Sequence, residues 1–146
     1  MKKQNGKTVK RNPNAVTRLG RKDNAAIALA LFESDAQGIA IVDQRGLIVK
    51  ANPRLAQIFG YGGTELVGQS LEMLLPERFR GAHVSHRDDY FKSPRTRPMG
   101  LGLSGDLVGR RKDGTEFPID VSLSSFESAH GRLAMAFITE ILWDPI

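Results

Sequence analysis

The alternation of hydrophobic and polar residues predicts β-strands over much of this chain. It is clearest after the turn at Lys112-Asp113-Gly114, where apolar residues occupy every second position from Phe117 to Leu123, as they do on one face of a strand. The segments 38–43 and 132–141 contain runs of consecutive apolar residues, at 39–42 and 133–138, which indicate strands buried on both faces. The pattern predicts strands at 38–43, 47–51, 106–111, 115–124 and 132–141.

Helical patterns precede and separate these strands. Asp23 or Asn24 can cap a helix that runs through Phe32. Asn52-Pro53 predicts the start of a short helix, because Asn caps and Pro suits the first helical position. Short turns near 64–67 and 70–74 and a longer helix over 77–91 follow. Hairpins on both sides of these helices imply antiparallel pairing with helices on one face, so the fold class is α+β.

Composition narrows the function further. The chain has 146 residues, enough for one domain with a core, and no cysteine. The lack of cysteine excludes disulfides, thiolate metal ligands and cysteine nucleophiles, and it agrees with a cytoplasmic location. No apolar run is long enough to span a membrane, and no secretory signal is present. The pattern contains no recognisable catalytic motif, so we expect a protein that is not an enzyme.

The net charge of +5 belongs to one end of the chain. Residues 1–22 hold eight Lys or Arg and no acidic residue, which leaves 13 basic and 16 acidic residues elsewhere. We therefore predict a disordered basic arm at 1–22 and a folded domain at 23–146, with a helical cap at 23–33 and a core at 34–142. The arm is either a solvated leader or, in the alternative reading, the contact of a nucleic-acid-associated regulator.

A set of short motifs, in order along the chain, resembles those of bacterial PAS sensory domains. They are Asp43-x-x-Gly46-x-Ile48-x-x-x-Asn52, Phe59-Gly60-Tyr61, Glu65-Leu-Val-Gly68, Leu75-Pro76 and Arg111-Lys-Asp-Gly114-x-x-Phe117-Pro118. The resemblance implies a five-stranded antiparallel sheet in the order 2-1-5-4-3, with short helices over one face and a cavity between. It also implies a sensor or interaction domain of a two-component type of signalling system, which binds a small ligand and signals through rearrangement of a homodimer.

The helix predicted from Glu77 carries the most informative candidate residues. Phe79, His83, His86 and Tyr90 occur at i, i+4, i+7 and i+11, on one helical face. From spacing alone, the two histidines are either partly buried hydrogen-bonding residues or ligands to a bound group. A metal site completed by Asp89 lacks a convincing fourth ligand.

The resemblance makes haem one candidate cofactor. Haem-binding PAS oxygen sensors place their proximal histidine seven residues after the proline of a Leu-Pro or Met-Pro step, and His83 stands seven residues after Pro76. An arginine that holds oxygen in one group of these sensors corresponds to Gly105 here. Another group uses a methionine as the distal haem ligand. Met99 lies near that position in the sequence, but not at the same number of residues from the Asp-Gly turn. If haem binds, His83 is its iron ligand.

The alternatives to haem are a small apolar ligand or a cavity closed by side chains. The candidate cavity residues are His83, His86, Tyr90, Met99, Leu101, Leu103, Ile119 and Phe137. The segment 139–142 resembles, without its threonine, a motif that links PAS domains to a following helix. Only four residues follow, so the chain is expected to be an excised module or to signal in trans to an effector domain or partner protein.

Overall fold

The computed structural model describes residues 13–93, 97–99 and 107–142. Its helices are α1 (Arg21–Phe32), α2 (Pro53–Phe59), a 3₁₀ helix (Leu71–Leu74) and α3 (Glu77–Lys92). Its strands are β1 (Gly38–Val42), β2 (Ile48–Ala51), β3 (Arg97–Met99), β4 (Leu107–Arg110), β5 (Glu116–Ser128) and β6 (Gly131–Glu140). Within these ranges no helix is both long enough and apolar enough to cross a membrane.

All of these strands belong to one antiparallel sheet. β2, β1, β6 and β5 lie side by side in that order, and β3 and β4 both pair with β5 at the next position. β4 pairs with the segment 116–119 of β5, and β3 pairs with the segment 121–123. If β3 and β4 are counted as one strand, the predicted order 2-1-5-4-3 is confirmed. The sequence pattern did not predict β3, because it lies in a Pro- and Gly-rich segment that is typical of a loop.

β6 is the central strand, as its continuous apolar run predicts. Ala136 pairs with Ala40 of β1 on one side and with Leu123 of β5 on the other. The face of the sheet that carries these three residues, which we call the inner face, is covered by α2, the 3₁₀ helix and α3. The opposite face, which we call the outer face, carries Ile39 and Phe137. These two residues pair with each other, next to the pair of Ala40 and Ala136.

α1 begins at Arg21, two residues before the predicted start. Gly20 occupies the capping position, and the Asp23 carboxylate accepts a hydrogen bond from its N–H at 2.9 Å. Asp23 therefore stabilises the first turn from within the helix and not from the capping position. No residue of α1 is buried. Of the predicted basic arm, residues 1–12 lie outside the described residues.

Asn52 fixes α2 to the sheet. It caps α2, as predicted, with its Oδ1 accepting from the N–H of Leu55 at 3.0 Å and from that of Ile39 at 2.7 Å. Its Nδ2 donates to the Gln37 carbonyl at 2.8 Å. The side chain is 1% exposed, and these three bonds satisfy a polar group that would otherwise be costly to bury. At the other end, Gly60 adopts a left-handed conformation with φ of 77° and ends the helix.

Candidate ligand cavity

An inner cavity lies between the inner face of the sheet and the covering helices. It has a main compartment of about 60 Å³ and a side compartment of about 40 Å³ towards the end of α3. The main compartment is lined by Phe59, Leu71, Leu74, Leu75, His83, Leu107, Ile119, Val121, Leu123, Ala136 and Ile138. His83 is the polar side chain in this described lining, so the cavity suits a mainly apolar occupant.

The space exists because the central strands present small side chains to the helices. Ala40, Ala134 and Ala136 are buried on the inner face of β1 and β6. Phe59 lines the main compartment and packs edge-to-face on Phe117, with ring centroids 5.3 Å apart. Their packing requires glycine at position 109, since a Cβ there would lie 2.9 Å from the Phe59 ring.

Four of the candidate residues predicted from the sequence line the inner cavity. His83 lines both compartments, Ile119 lines the main one, and His86 and Tyr90 line the side one. Tyr90 is buried, whereas His86 is largely exposed at the surface of α3. Phe79, predicted on the same helical stripe, is 43% exposed, with the Arg78 guanidinium 4.6 Å from its ring centroid.

Phe137 was predicted to line the same cavity, and that prediction is wrong. It faces the groove beneath α1 on the outer side of the sheet, together with Met135. Its neighbours Ala136 and Ile138 face inward, because side chains alternate along a strand. The run 133–138 is apolar at every position, so its pattern could not show which alternate set faces the helices.

The remaining three candidates cannot be placed by their side chains. Met99 belongs to β3, but its side chain lies outside the described residues. Leu101 and Leu103 lie outside the described residues altogether. Their assignment to the cavity stays a prediction.

A charged cluster of Glu72, His83 and Arg87 adjoins the cavity. The Glu72 carboxylate lies 3.3 Å from His83 Nδ1 and accepts a hydrogen bond from the Ser70 hydroxyl at 2.5 Å. Arg87 also donates to the Glu72 carboxylate. The side chains of Glu72 and Arg87 are only 7% and 12% exposed. Such a buried pair needs its hydrogen bonds to offset the cost of desolvation.

Burial and hydrogen bonding set the protonation states within the cluster. Burial raises the pKa of Glu72, but the hydrogen bonds from Ser70 and its own backbone N–H, with the charge of Arg87, outweigh it and leave that pKa below its ordinary value. Burial lowers the pKa of His83 by more than Glu72 raises it. Glu72 is therefore ionised and His83 neutral near pH 7.

Arg87 extends the cluster to the β1–β2 turn. Gly46, in that turn, has φ of 82° and packs so closely against the Arg87 guanidinium that a Cβ would clash with it. The cluster thus joins the cavity wall to a turn of the sheet. Sequence reasoning missed both Glu72 and Arg87. An acidic residue within the apolar run 71–75, and an arginine four residues after His83 on the same helical face, were the available signals.

Residues 36–142 match the sequence profile described as the PAS domain. The chain belongs to this family. Its curated relatives include the sensor protein FixL of Bradyrhizobium diazoefficiens, 28% identical over 114 residues that make up 77% of this chain and 22% of FixL. The oxygen sensor protein DosP of Escherichia coli is 27% identical over 113 residues, which are 76% of this chain and 14% of DosP. The chain therefore spans less than a quarter of either relative, and it is a PAS domain of the kind found in sensor proteins.

Solved PAS structures agree with this fold. The PAS domain of an HTR-like protein from Haloarcula marismortui has a TM-score of 0.65 at 22% identity, over 82% of this chain and 99% of that one. The PAS domain of a protein from Colwellia psychrerythraea has a TM-score of 0.68 at 17% identity, over 82% of this chain and 97% of that one. At these identities the likeness supports the fold alone.

Haem, the cofactor suggested by the sequence, would need an axial ligand and space for a porphyrin. His83 supplies suitable donor chemistry, because a carboxylate next to one ring nitrogen is typical of metal-binding histidines. The space is unsuitable, because even drug-sized ligands occupy pockets of roughly 300–1,000 Å³, and the main compartment of this PAS domain measures about 60 Å³. The main compartment, as the described residues form it, is therefore too small for a porphyrin unless its walls move. The described residues also contain no group of three or more His, Cys, Asp or Glu residues that could hold a metal ion.

Proposed function

We propose that this PAS domain is a non-enzymatic sensor that holds a small, uncharged molecule in the inner cavity and signals through a homodimer. The observation that carries the proposal is the apolar cavity between the sheet and the helices, with His83 in its wall. The names of two relatives, a sensor protein and an oxygen sensor protein, support a sensory role. The whole relatives are far longer than this chain, so the effector that receives the signal is expected in another segment or partner protein.

The charged cluster offers a route for the signal. A ligand that moves the His83 ring would change its 3.3 Å contact with Glu72. Glu72 is also bound to Arg87, which packs on the turn at Gly46. This turn joins β1 to β2, so a change at the cavity wall can reach the edge of the sheet. We propose that ligand binding causes a structural change along this path and no chemical reaction.

Xenon tests whether the cavity accepts a ligand, because it enters apolar cavities without needing hydrogen bonds. We expect xenon under pressure to shift the methyl NMR signals of Ile119 and Val121 in a saturable manner. Ala136→Leu should abolish these shifts by filling the main compartment. Ala129→Leu, at an exposed turn position, is the matched control and should leave them unchanged. Hemin titration provides a separate arm, in which a specific Soret band that is lost in His83→Ala would replace this proposal with haem binding.

We propose that the outer face of the sheet and α1 form the homodimer contact. A groove of about 510 Å³ lies between α1 and the sheet, and its lining includes Leu29, Met135 and Phe137. α1 has no buried residue in the single chain, although a helix of this length is marginal without packing partners. The Lys50 ammonium lies 4.7 Å from the Phe32 ring centroid and holds the end of α1 near the sheet. A second copy would bury the apolar side of α1 in a self-complementary contact.

Light scattering can test this assembly with two surface substitutions of matched exposure. Leu29 on α1 is 54% exposed, and Val67, in a loop between α2 and the 3₁₀ helix, is 50% exposed. Leu29→Glu should shift the molar mass from dimer towards monomer, because it places a charge in the apolar contact. Val67→Glu should leave the mass unchanged. A monomeric mass for the unmodified protein at all concentrations would overturn the proposed dimer.

A further inference from the structure

The chemistry of the proposed ligand can be read from the state of His83. Its ring lines both compartments of the inner cavity, and its Nδ1 lies 3.3 Å from the Glu72 carboxylate. Among the described residues no hydrogen-bond partner is found for Nε2. In the main compartment, whose described lining has no other polar side chain, Nε2 is therefore the ring nitrogen left to contact an occupant.

Glu72 decides which ring nitrogen carries the proton. Its carboxylate already accepts from the Ser70 hydroxyl at 2.5 Å and from Arg87, an arrangement that favours the ionised form. An ionised carboxylate can only accept hydrogen bonds, so the nitrogen facing it must be the donor. A neutral imidazole carries one N–H, which places it on Nδ1 and leaves a lone pair on Nε2.

We infer that His83 Nε2 accepts a hydrogen bond from the ligand, and that the ligand is a small uncharged molecule with an apolar body and one O–H or N–H donor. A short-chain alcohol represents this class. The inference rests on the proposed function, since it names the chemistry of the molecule that the inner cavity would hold. Glu72 is a positioning residue in this scheme, because it acts on the ligand only through the His83 tautomer.

The rest of the cavity restricts the ligand in size and polarity. An apolar cavity of about 150 Å³ holds one benzene molecule, whereas the two compartments here measure about 60 and 40 Å³. A ligand of about four non-hydrogen atoms is therefore the largest expected without movement of the walls. A charged ligand would lose its hydration against apolar side chains such as Leu74 and Ile119. A molecule that has only acceptors could not hydrogen-bond to Nε2, because the lone pairs of both would face each other.

The test compares 2-propanol with acetone, two molecules of nearly the same shape. 2-Propanol has a donor, and acetone has only an acceptor. Binding is followed through the methyl NMR signals of Ile119 and Val121, with xenon as the control for an accessible cavity. We expect 2-propanol to reach half-saturation at about one tenth of the acetone concentration, the value of one hydrogen bond.

Two variants assign that preference to a residue. His83→Leu keeps a side chain of similar size but has no acceptor, so it should bind both molecules equally while still responding to xenon. His130→Leu, the same substitution at an exposed turn between β5 and β6 that lines neither compartment, should retain the preference for 2-propanol. In the unmodified protein, ¹⁵N NMR should show a proton on Nδ1 of His83 and none on Nε2.

The outcomes separate this inference from the proposed function. Equal binding of the two molecules, a preference that persists in His83→Leu, or a proton on Nε2 would overturn the inference and leave the cavity as a ligand site. If xenon binds but neither molecule does, the ligand belongs to another class and the inference is again overturned. If xenon does not enter at all, the proposed function fails and the inference fails with it.

Discussion

The two faces of the sheet are built from the same strands but have opposite characters. On the inner face, β1 and β6 present Ala40, Ala134 and Ala136, and covering helices enclose a small cavity. On the outer face the same strands present larger side chains, among them Met135 and Phe137, beneath an open groove of about 510 Å³. Small residues thus make internal space where the sheet is covered, and large ones lie where it is open.

This difference suggests a division of roles within one PAS domain. The inner face provides a small, mainly apolar site in which His83 is the polar side chain of the main compartment, which suits recognition of a small molecule. The outer face provides an apolar groove that the single helix α1 leaves open, which suits a second chain. Because the two sets of side chains alternate along β6, a shift of this strand would change the packing on both faces of the sheet.

The largest expected effect contrasts an inner with an outer phenylalanine. Phe59 is 0% exposed and packs on Phe117, so Phe59→Ala should lower the free energy of unfolding by about 3–5 kcal/mol. Phe137→Ala should cost the monomer only about 1–2 kcal/mol, because that side chain is partly exposed. Urea denaturation at low protein concentration measures both. Equal losses would mean that the faces are not energetically distinct.

A smaller effect is expected from the charged cluster on the inner side. Glu72→Leu leaves the Arg87 guanidinium buried without its carboxylate, which should cost on the order of 3 kcal/mol. The control is Lys112→Ala, which removes an exposed ion pair with Glu65 and should cost less than about 1 kcal/mol. If the two variants lose the same stability in urea, the cluster is not a buried structural unit.

The sequence predicted more of the fold than of the site. Turn residues such as Gly46 and caps such as Asn52 act locally, so their roles could be read from the residues alone. The burial of Phe117 and Ile119 also followed from the sequence, since both belong to the alternating apolar positions that run from Phe117 to Leu123. Phe137 was misplaced because both faces of β6 are apolar. Contacts between Glu72 and His83 depend on how the 3₁₀ helix packs on α3, and no local pattern specifies that.

The charged cluster should also make stability depend on pH, with a smaller effect than the substitutions above. The pKa values of Glu72 and His83 are both lower in the folded state than ordinarily. The unfolded chain therefore binds more protons than the folded one at low pH. For His83 this difference begins below about pH 6.5, and for Glu72 it begins below about pH 4.5. Stability should be fully present above these values and fall as the pH drops through them.

A double variant, Glu72→Gln with His83→Leu, provides the control for this effect. Its denaturation midpoint should change less between pH 7 and pH 4 than that of the unmodified protein. An unchanged pH profile in the double variant would show that other groups, for example Glu116 with its ion pair to Arg78, determine the acid sensitivity.

The central claim, that the inner face binds a ligand and the outer face binds a second copy, can be tested in one methyl NMR experiment. Spectra of the same protein are recorded on dilution and then under xenon. Dilution should move the signals of Ile41 and Met135 on the outer face and leave Ile119 and Val121 unchanged. Xenon should move the inner pair and leave the outer pair unchanged. If dilution and xenon move the same signals, or if the inner pair does not respond to xenon, the account is contradicted.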